Sequence, residues 1–114
     1  VIHADGAISQ LEGGAIQSTS WALKEQAHWD AYNITSLDWD AYPILRFSEV
    51  PEVNVHLMPS NSQNEKSLNP PLGAGEATQG PTTAAIANAV FHAVGVRVRQ
   101  LPLTPENLAK AALA

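Results

Sequence analysis

The chain has 114 residues, 45% of them hydrophobic and 15% charged, with a net charge of −5 and no cysteine. That is enough for one hydrophobic core, and the composition excludes a disordered or fibrous protein. The six basic residues are scattered, so no cationic face for nucleic acid can form, and the longest apolar stretch is too short and interrupted for direct membrane insertion. Without cysteine there is no disulfide, thiolate metal ligand, iron–sulfur ligand or thiol nucleophile in this chain.

Val1-Ile2-His3 reads as a start inside a strand, as expected of a fragment or a processed product, and no targeting signal can be read before it. Asp5-Gly6 is a turn signal, after which Ser9, with Glu12 three residues on, is expected to cap a helix from about Leu11 to Ala27. Gly13 and Gly14 each cost such a helix about 1 kcal/mol relative to alanine, so a close approach by backbone or ligand is expected to compensate. Gln10, Gly14, Gln17 and Trp21 share one face of it, which composition alone reads as a tightly packed helix with two ordinary amides.

Trp29 to Tyr42 reads as extended chain with turns at Asn33 and at Asp38 to Asp40. Val53, Val55 and Leu57 alternate with polar residues, the period of a half-buried strand. The Ser/Asn/Gln-rich stretch 59–70 is expected to be an exposed, flexible loop. Gly73-Ala74-Gly75-Glu76 is a glycine turn leading into an alanine-rich helix, Ala77 to Ala93, with Pro81 tolerated in its first turn and Gly95 as its C-cap. Val96 to Arg99 alternates as an edge strand would, and Thr104 is placed to cap a short helix from Pro105 to about Ala112. The expected fold class is α+β, with helices packed on a small, mostly antiparallel sheet.

His3, His28, His56 and His92 are widely separated and form no metal-ligand pair, so no metal ligand is assigned. Gly73-Ala74-Gly75 lacks the third glycine of a dinucleotide fingerprint. Glu76 is the suggestive position: a carboxylate between a glycine turn and the positive end of a helix, where a ligand can approach the backbone. A solvent-exposed glutamate at a helix start is the alternative.

Three segments, taken in order, resemble the molybdenum-cofactor subunit of the xanthine dehydrogenase/aldehyde oxidase family. Gln10-Leu11-Glu12-Gly13-Gly14-Ala15-Ile16-Gln17 is similar to its Q-x-E-G-x-x-x-Q helix, and Tyr42 to Pro51 to a stretch that ends in a strand. Gly73-Ala74-Gly75-Glu76-Ala77, followed by the alanine-rich helix and Gly95-Val96-Arg97, is similar to its last cofactor-contacting segment. Glu76-Ala77-Thr78-Gln79-Gly80-Pro81 resembles the isoquinoline 1-oxidoreductase β-subunit branch and departs from the G-E-P-P of the purine branch.

The resemblance implies that residues 1–114 are the C-terminal portion of a molybdopterin-binding domain. It implies a molybdenum pyranopterin, in its cytosine dinucleotide form, that hydroxylates an N-heteroaromatic ring carbon or oxidises an aldehyde with water as the oxygen source. Glu76 matches the general base, Gln10 an amide on the cofactor, and Gly73, Ala74 and Gly75 its backbone contacts. Glu12 and Gln17 match the motif with a packing or capping role as the equal alternative. Expected partners are the remainder of the subunit, an iron–sulfur subunit and a cytochrome electron acceptor, with a periplasmic location favoured; the chain alone is expected to be inactive. The rival reading is a non-catalytic binding or assembly module that retains the fold.

Overall fold

The structure is a computed structural model that describes residues 1–58 and 72–113. The stretch 59–70, expected to be flexible, lies outside the described residues. Among the described residues three helices carry the architecture: α1 (Ala4–Leu23), α2 (Gln79–Val94) and α3 (Pro105–Ala112), with a short 3-10 turn at Phe47–Glu49.

The first helix begins earlier than its sequence signals suggest. His3 is extended (φ −135°, ψ 105°), and its Nδ1 accepts from the Gly6 N–H at 2.8 Å, satisfying an amide that has no partner within the helix. Asp5 then falls in the first turn, against the positive end of the helix dipole. Ser9 lies inside α1 and caps nothing, and Asp5-Gly6 is helix, not turn. A capping pattern describes side-chain chemistry only, and cannot show that the backbone before it is already helical. The other two helices follow their signals. Gly95 takes the left-handed conformation (φ 73°) and donates its N–H to the Phe91 carbonyl at 2.8 Å, closing α2. Thr104 Oγ1 accepts from the Asn107 N–H at 3.3 Å, opening α3.

The expected α+β class is not observed. Among the described residues there is no strand and no sheet, only one isolated antiparallel bridge between Trp29 and Ile34. Val53, Val55 and Leu57 are indeed half-buried while Asn54 and His56 are exposed, and Val96 and Val98 are more buried than Arg97 and Arg99. Alternation of burial therefore survives without a ladder. Period-2 patterning reports which side of an extended chain is covered, whereas a strand also needs a neighbour to take its N–H and C=O groups. Similarly, the stretch expected to run from Tyr42 into a strand bends into the 3-10 turn at Phe47–Glu49.

Packing is centred on α1 against α2, and the contact is made by small and polar residues. Gly14, Ser18, Thr19, Ser20 and Ala22 are the buried positions of α1. The chain after α2 returns to the end of α1, where the Leu103 N–H donates to the Ala22 carbonyl at 2.7 Å, and Ala22, Val98 and Leu103 form the apolar centre. Between α1 and α2, two aspartate-nucleated turns shape an irregular arm. Asp30 Oδ1 accepts from the Tyr32 and Asn33 amides, and Asp38 Oδ1 from those of Asp40 and Ala41. Trp29, Tyr32, Leu37, Trp39 and Phe47 along this arm are exposed. The radius of gyration, 18.0 Å, exceeds the roughly 13 Å of a compact chain of this size.

The arm is fastened back to α1 and the two residues that follow it at three points. Tyr42 donates its hydroxyl to Glu25, which raises its pKa, and the Leu45 N–H donates to Ser20 Oγ at 2.9 Å. Lys24 pairs with Glu49, whose other oxygen accepts from the Arg46 N–H at 2.8 Å. The Lys24 ammonium first, and the Arg46 N–H after it, hold the Glu49 carboxyl below the usual glutamate range. A carboxyl lowered by folding contributes stability above its unfolded pKa and loses it as pH falls through the folded value. A carboxyl NMR titration should accordingly place the Glu49 midpoint below that of an exposed glutamate, and Lys24→Gln should raise it. A midpoint unmoved by Lys24→Gln would show that the pair does not persist in solution.

Candidate active site

Two glycines bring α1 and the loop before α2 together. Gly14 is buried on α1, and a Cβ built there would stand 2.5 Å from Thr78 Oγ1 and 2.9 Å from the Gly75 carbonyl. A Cβ on Gly75 would stand 2.9 Å from Gln10 Oε1. Any larger residue at either position would push the loop before α2 away from α1. Gly13, by contrast, is exposed and has nothing within 4 Å of its built Cβ. The close approach expected of the glycine pair thus belongs to Gly14 alone.

Hydrogen bonds lock this approach. Thr78 Oγ1 donates to the Leu11 carbonyl at 2.9 Å, and Gln79 Nε2 donates to Gln17 Oε1 at 3.2 Å. Ser18 Oγ donates to the Gln79 carbonyl at 2.5 Å, so the 2.6 Å contact between Thr83 Oγ1 and Ser18 Oγ has Thr83 as its donor. The face read from spacing is the contact face: Gln10 meets Gly75, Gly14 meets Thr78, Gln17 meets Gln79, and Trp21 lines a groove with Gln79 and Thr83. Sequence reasoning missed Ser18, Thr78 and Thr83. The available signal was that Ser18 follows Gly14 by one helical turn and continues its small-residue face.

The loop itself is tightened by two bonds, Ala77 N–H to the Ala74 carbonyl and Gln79 N–H to the Glu76 carbonyl, both at 3.2 Å. Gln10 and Ala74 line a cleft of ≈ 530 Å³, together with Ile2, His3, Ala7 and Leu72. Gly73 is exposed, with nothing within 4 Å of a built Cβ. Glu76 is exposed, follows the glycine that touches Gln10, and stands just before the N-terminus of α2. Among the described residues the Lys24–Glu49 pair is the one ion pair, so no Lys or Arg of that set ties down Glu76. No described residue accepts from the backbone N–H groups of Gly75 and Glu76. Of the candidate residues, the structure therefore brings Ala74 and Gly75 to Gln10 on α1, while Glu76 follows them on the loop and lines no cleft with Gln10. Glu12 is half-buried and makes no side-chain bond among the described residues, whereas Gln17 holds Gln79. Three or more potential metal ligands do not cluster anywhere in the described residues, and none of the described helices is long and apolar enough to cross a membrane.

No protein-family model and no solved structure matches the chain. Known proteins do. It is 40% identical over 111 residues to a nicotinate dehydrogenase subunit of Pseudomonas putida, covering 97% of this chain and 9% of that one. It is 32% identical over 108 residues to the membrane-bound aldehyde dehydrogenase (pyrroloquinoline-quinone) of Gluconacetobacter polyoxogenes, covering 95% of this chain and 13% of that one. With the isoquinoline 1-oxidoreductase β subunit of Brevundimonas diminuta the identity is 31% over 105 residues, covering 92% and 12%. The chain thus spans about a tenth of the length of the curated bacterial relatives it matches. These relatives are named as dehydrogenases and an oxidoreductase, and this chain is similar to a segment of each. It belongs to the xanthine dehydrogenase/aldehyde oxidase family of molybdenum-containing enzymes.

The two helix glycines should respond oppositely to alanine. Gly13→Ala should stabilise the assembled subunit by about 0.5–1 kcal/mol, since it removes a helix penalty in open space. Gly14→Ala should destabilise it, and Gly14→Leu more so, by about 1–3 kcal/mol from overpacking. Thermal melting of both variants checks this, and equal shifts would contradict the close approach.

Proposed function

We propose that this chain forms one wall of the molybdenum-cofactor site of a hydroxylase that acts on an N-heteroaromatic ring carbon or an aldehyde, with water as the oxygen source and Glu76 as general base. The observation that carries this reading is the contact of Gln10 with Gly75. It joins the two segments that resemble the family's cofactor-contacting motifs, although they are far apart in sequence.

The residues present suit such a group. A carboxamide on the wall of a cleft, with Gly75 and Glu76 N–H groups that no described residue uses, offers polar contacts to a pyranopterin with its anionic dinucleotide tail. Gln10 and the backbone of Gly73, Ala74 and Gly75 would hold it, in the cytosine dinucleotide form. When bound, the cofactor supplies the two-electron oxidation, and its electrons leave through iron–sulfur clusters on a partner subunit. Glu76 accepts a proton at its carboxylate. Its freedom from a Lys or Arg partner among the described residues suits that task, because an ion pair would make it a weaker base.

In this reading the remainder of the molybdenum subunit supplies the other cofactor contacts and the substrate gate. The chain alone is then inactive, and a cytochrome accepts electrons in the periplasm. Nicotinate, isoquinoline and aldehydes are the substrates to assay first, by analogy with the relatives' names. A second reading, a non-catalytic assembly module, is favoured by the exposed aromatic side chains of Trp29, Tyr32 and Trp39. One relative's name specifies pyrroloquinoline quinone, and metal analysis of the purified holoenzyme separates that cofactor from molybdenum.

In the assembled holoenzyme, Glu76→Gln should retain molybdenum and the parental melting temperature while turnover falls by roughly 10²–10⁴-fold, the usual worth of a general base. Turnover within about threefold of the parent would remove Glu76 from the mechanism and leave the assembly reading.

A further inference from the structure

We infer that Thr78 is a positioning residue for Glu76: its hydroxyl, bonded to the Leu11 carbonyl through the gap left by Gly14, sets where the carboxylate stands relative to Gln10. The inference rests on the reading of Glu76 as the base.

Thr78 occupies the N-cap of α2, where a threonine ordinarily accepts from an amide of the first turn and contributes about 1 kcal/mol to its helix. Here it does not. Its backbone is already helical (φ −95°, ψ −11°) and its side chain makes no cap bond. The hydroxyl is instead turned onto α1, donating to the Leu11 carbonyl at 2.9 Å. That carbonyl belongs to the residue after Gln10, and Thr78 lies two residues after Glu76. A single hydrogen bond therefore ties the amide-bearing turn of α1 to the carboxylate-bearing loop.

Gly14 is the condition for this bond, because a Cβ there would come within 2.5 Å of Thr78 Oγ1. Beyond Thr78, α2 is independently anchored by the Ser18 hydroxyl on the Gln79 carbonyl, by Thr83 on Ser18 and by Gln79 on Gln17. Losing the Thr78 hydroxyl would leave those bonds in place. The Glu76 carbonyl accepts from the Gln79 N–H, the Ala77 N–H donates to the Ala74 carbonyl, and the Glu76 side chain is exposed. Thr78 thus makes the described hydrogen bond to α1 that lies nearest Glu76 in sequence, and its removal loosens the loop without unseating the helix.

The test is a double-mutant cycle in the metal-loaded holoenzyme, assayed with the best of nicotinate, isoquinoline or an aldehyde and an artificial electron acceptor. Thr78→Val keeps the shape and removes the donor. It should lower kcat by about tenfold or more, since a misplacement of roughly 1 Å can cost about 10²-fold, with KM, molybdenum content and melting temperature near parental. Thr78→Ser should restore most of that loss. In the Glu76→Gln background Thr78→Val should have no further effect, whereas a merely structural role would lower the residual rate by the same factor in both backgrounds. If Thr78→Val does not load metal, Thr78→Ala is the second variant. A kcat within about twofold of the parent for the loaded donor-less variant, or equal effects in the two backgrounds, overturns the inference while leaving Glu76 as base. Full turnover by Glu76→Gln alone overturns the base reading, and this inference with it.

Discussion

The absence of a side chain at position 14 is the constraint on which the rest of the structure depends. A glycine inside α1 costs about 1 kcal/mol in helix propensity. In return the Gly75 to Thr78 loop reaches the helix surface closely enough for a hydroxyl to bond the Leu11 carbonyl. Each such bond contributes on the order of 0.5–1.5 kcal/mol net, and the four between α1 and the Thr78–Thr83 segment together outweigh the glycine. Their directionality has a further effect. Apolar ridges can slide over one another at little cost, whereas hydroxyl–carbonyl bonds weaken steeply with a small shift or rotation. A polar helix contact therefore sets the register of α2 on α1, and with it the approach of Gly75 to Gln10.

This sparseness of apolar contact has a counterpart on the surface. Ala22, Val98 and Leu103 are the buried hydrophobic residues among those described, while several tryptophan, tyrosine and leucine side chains of the arm between α1 and α2 lie open. Apolar burial is the main favourable term in folding, and conformational entropy opposes it residue by residue. A chain with so small a core and so wide an outline draws little stability from itself. The turns at Asp30 and Asp38 keep that exposed arm in shape. The candidate site follows the same logic: Gln10 and Ala74 line one cleft, and Glu76 stands exposed on the loop beside it.

Much of this was legible in the residues themselves. Gly95 and Thr104 act as read, because caps depend on the chemistry of one or two residues and their immediate amides. The order of the Gln10 helix, the Gly73 to Glu76 turn and the alanine-rich helix identified the family without any coordinates. The stripe Gln10, Gly14, Gln17, Trp21 marked the contact face, because helical periodicity is a local property. What lay beyond the sequence was everything that depends on a distant partner. Alternation at Val53 to Leu57 could not reveal that no described strand would pair with it, and Ser9 could not reveal that His3 had already started the helix. Nor could Gly13 and Gly14, adjacent and identical, be told apart until Thr78 was seen to lie against one of them and nothing against the other. Local chemistry is written in consecutive residues, whereas a close approach is decided by which remote atoms the folded chain brings within a few ångströms.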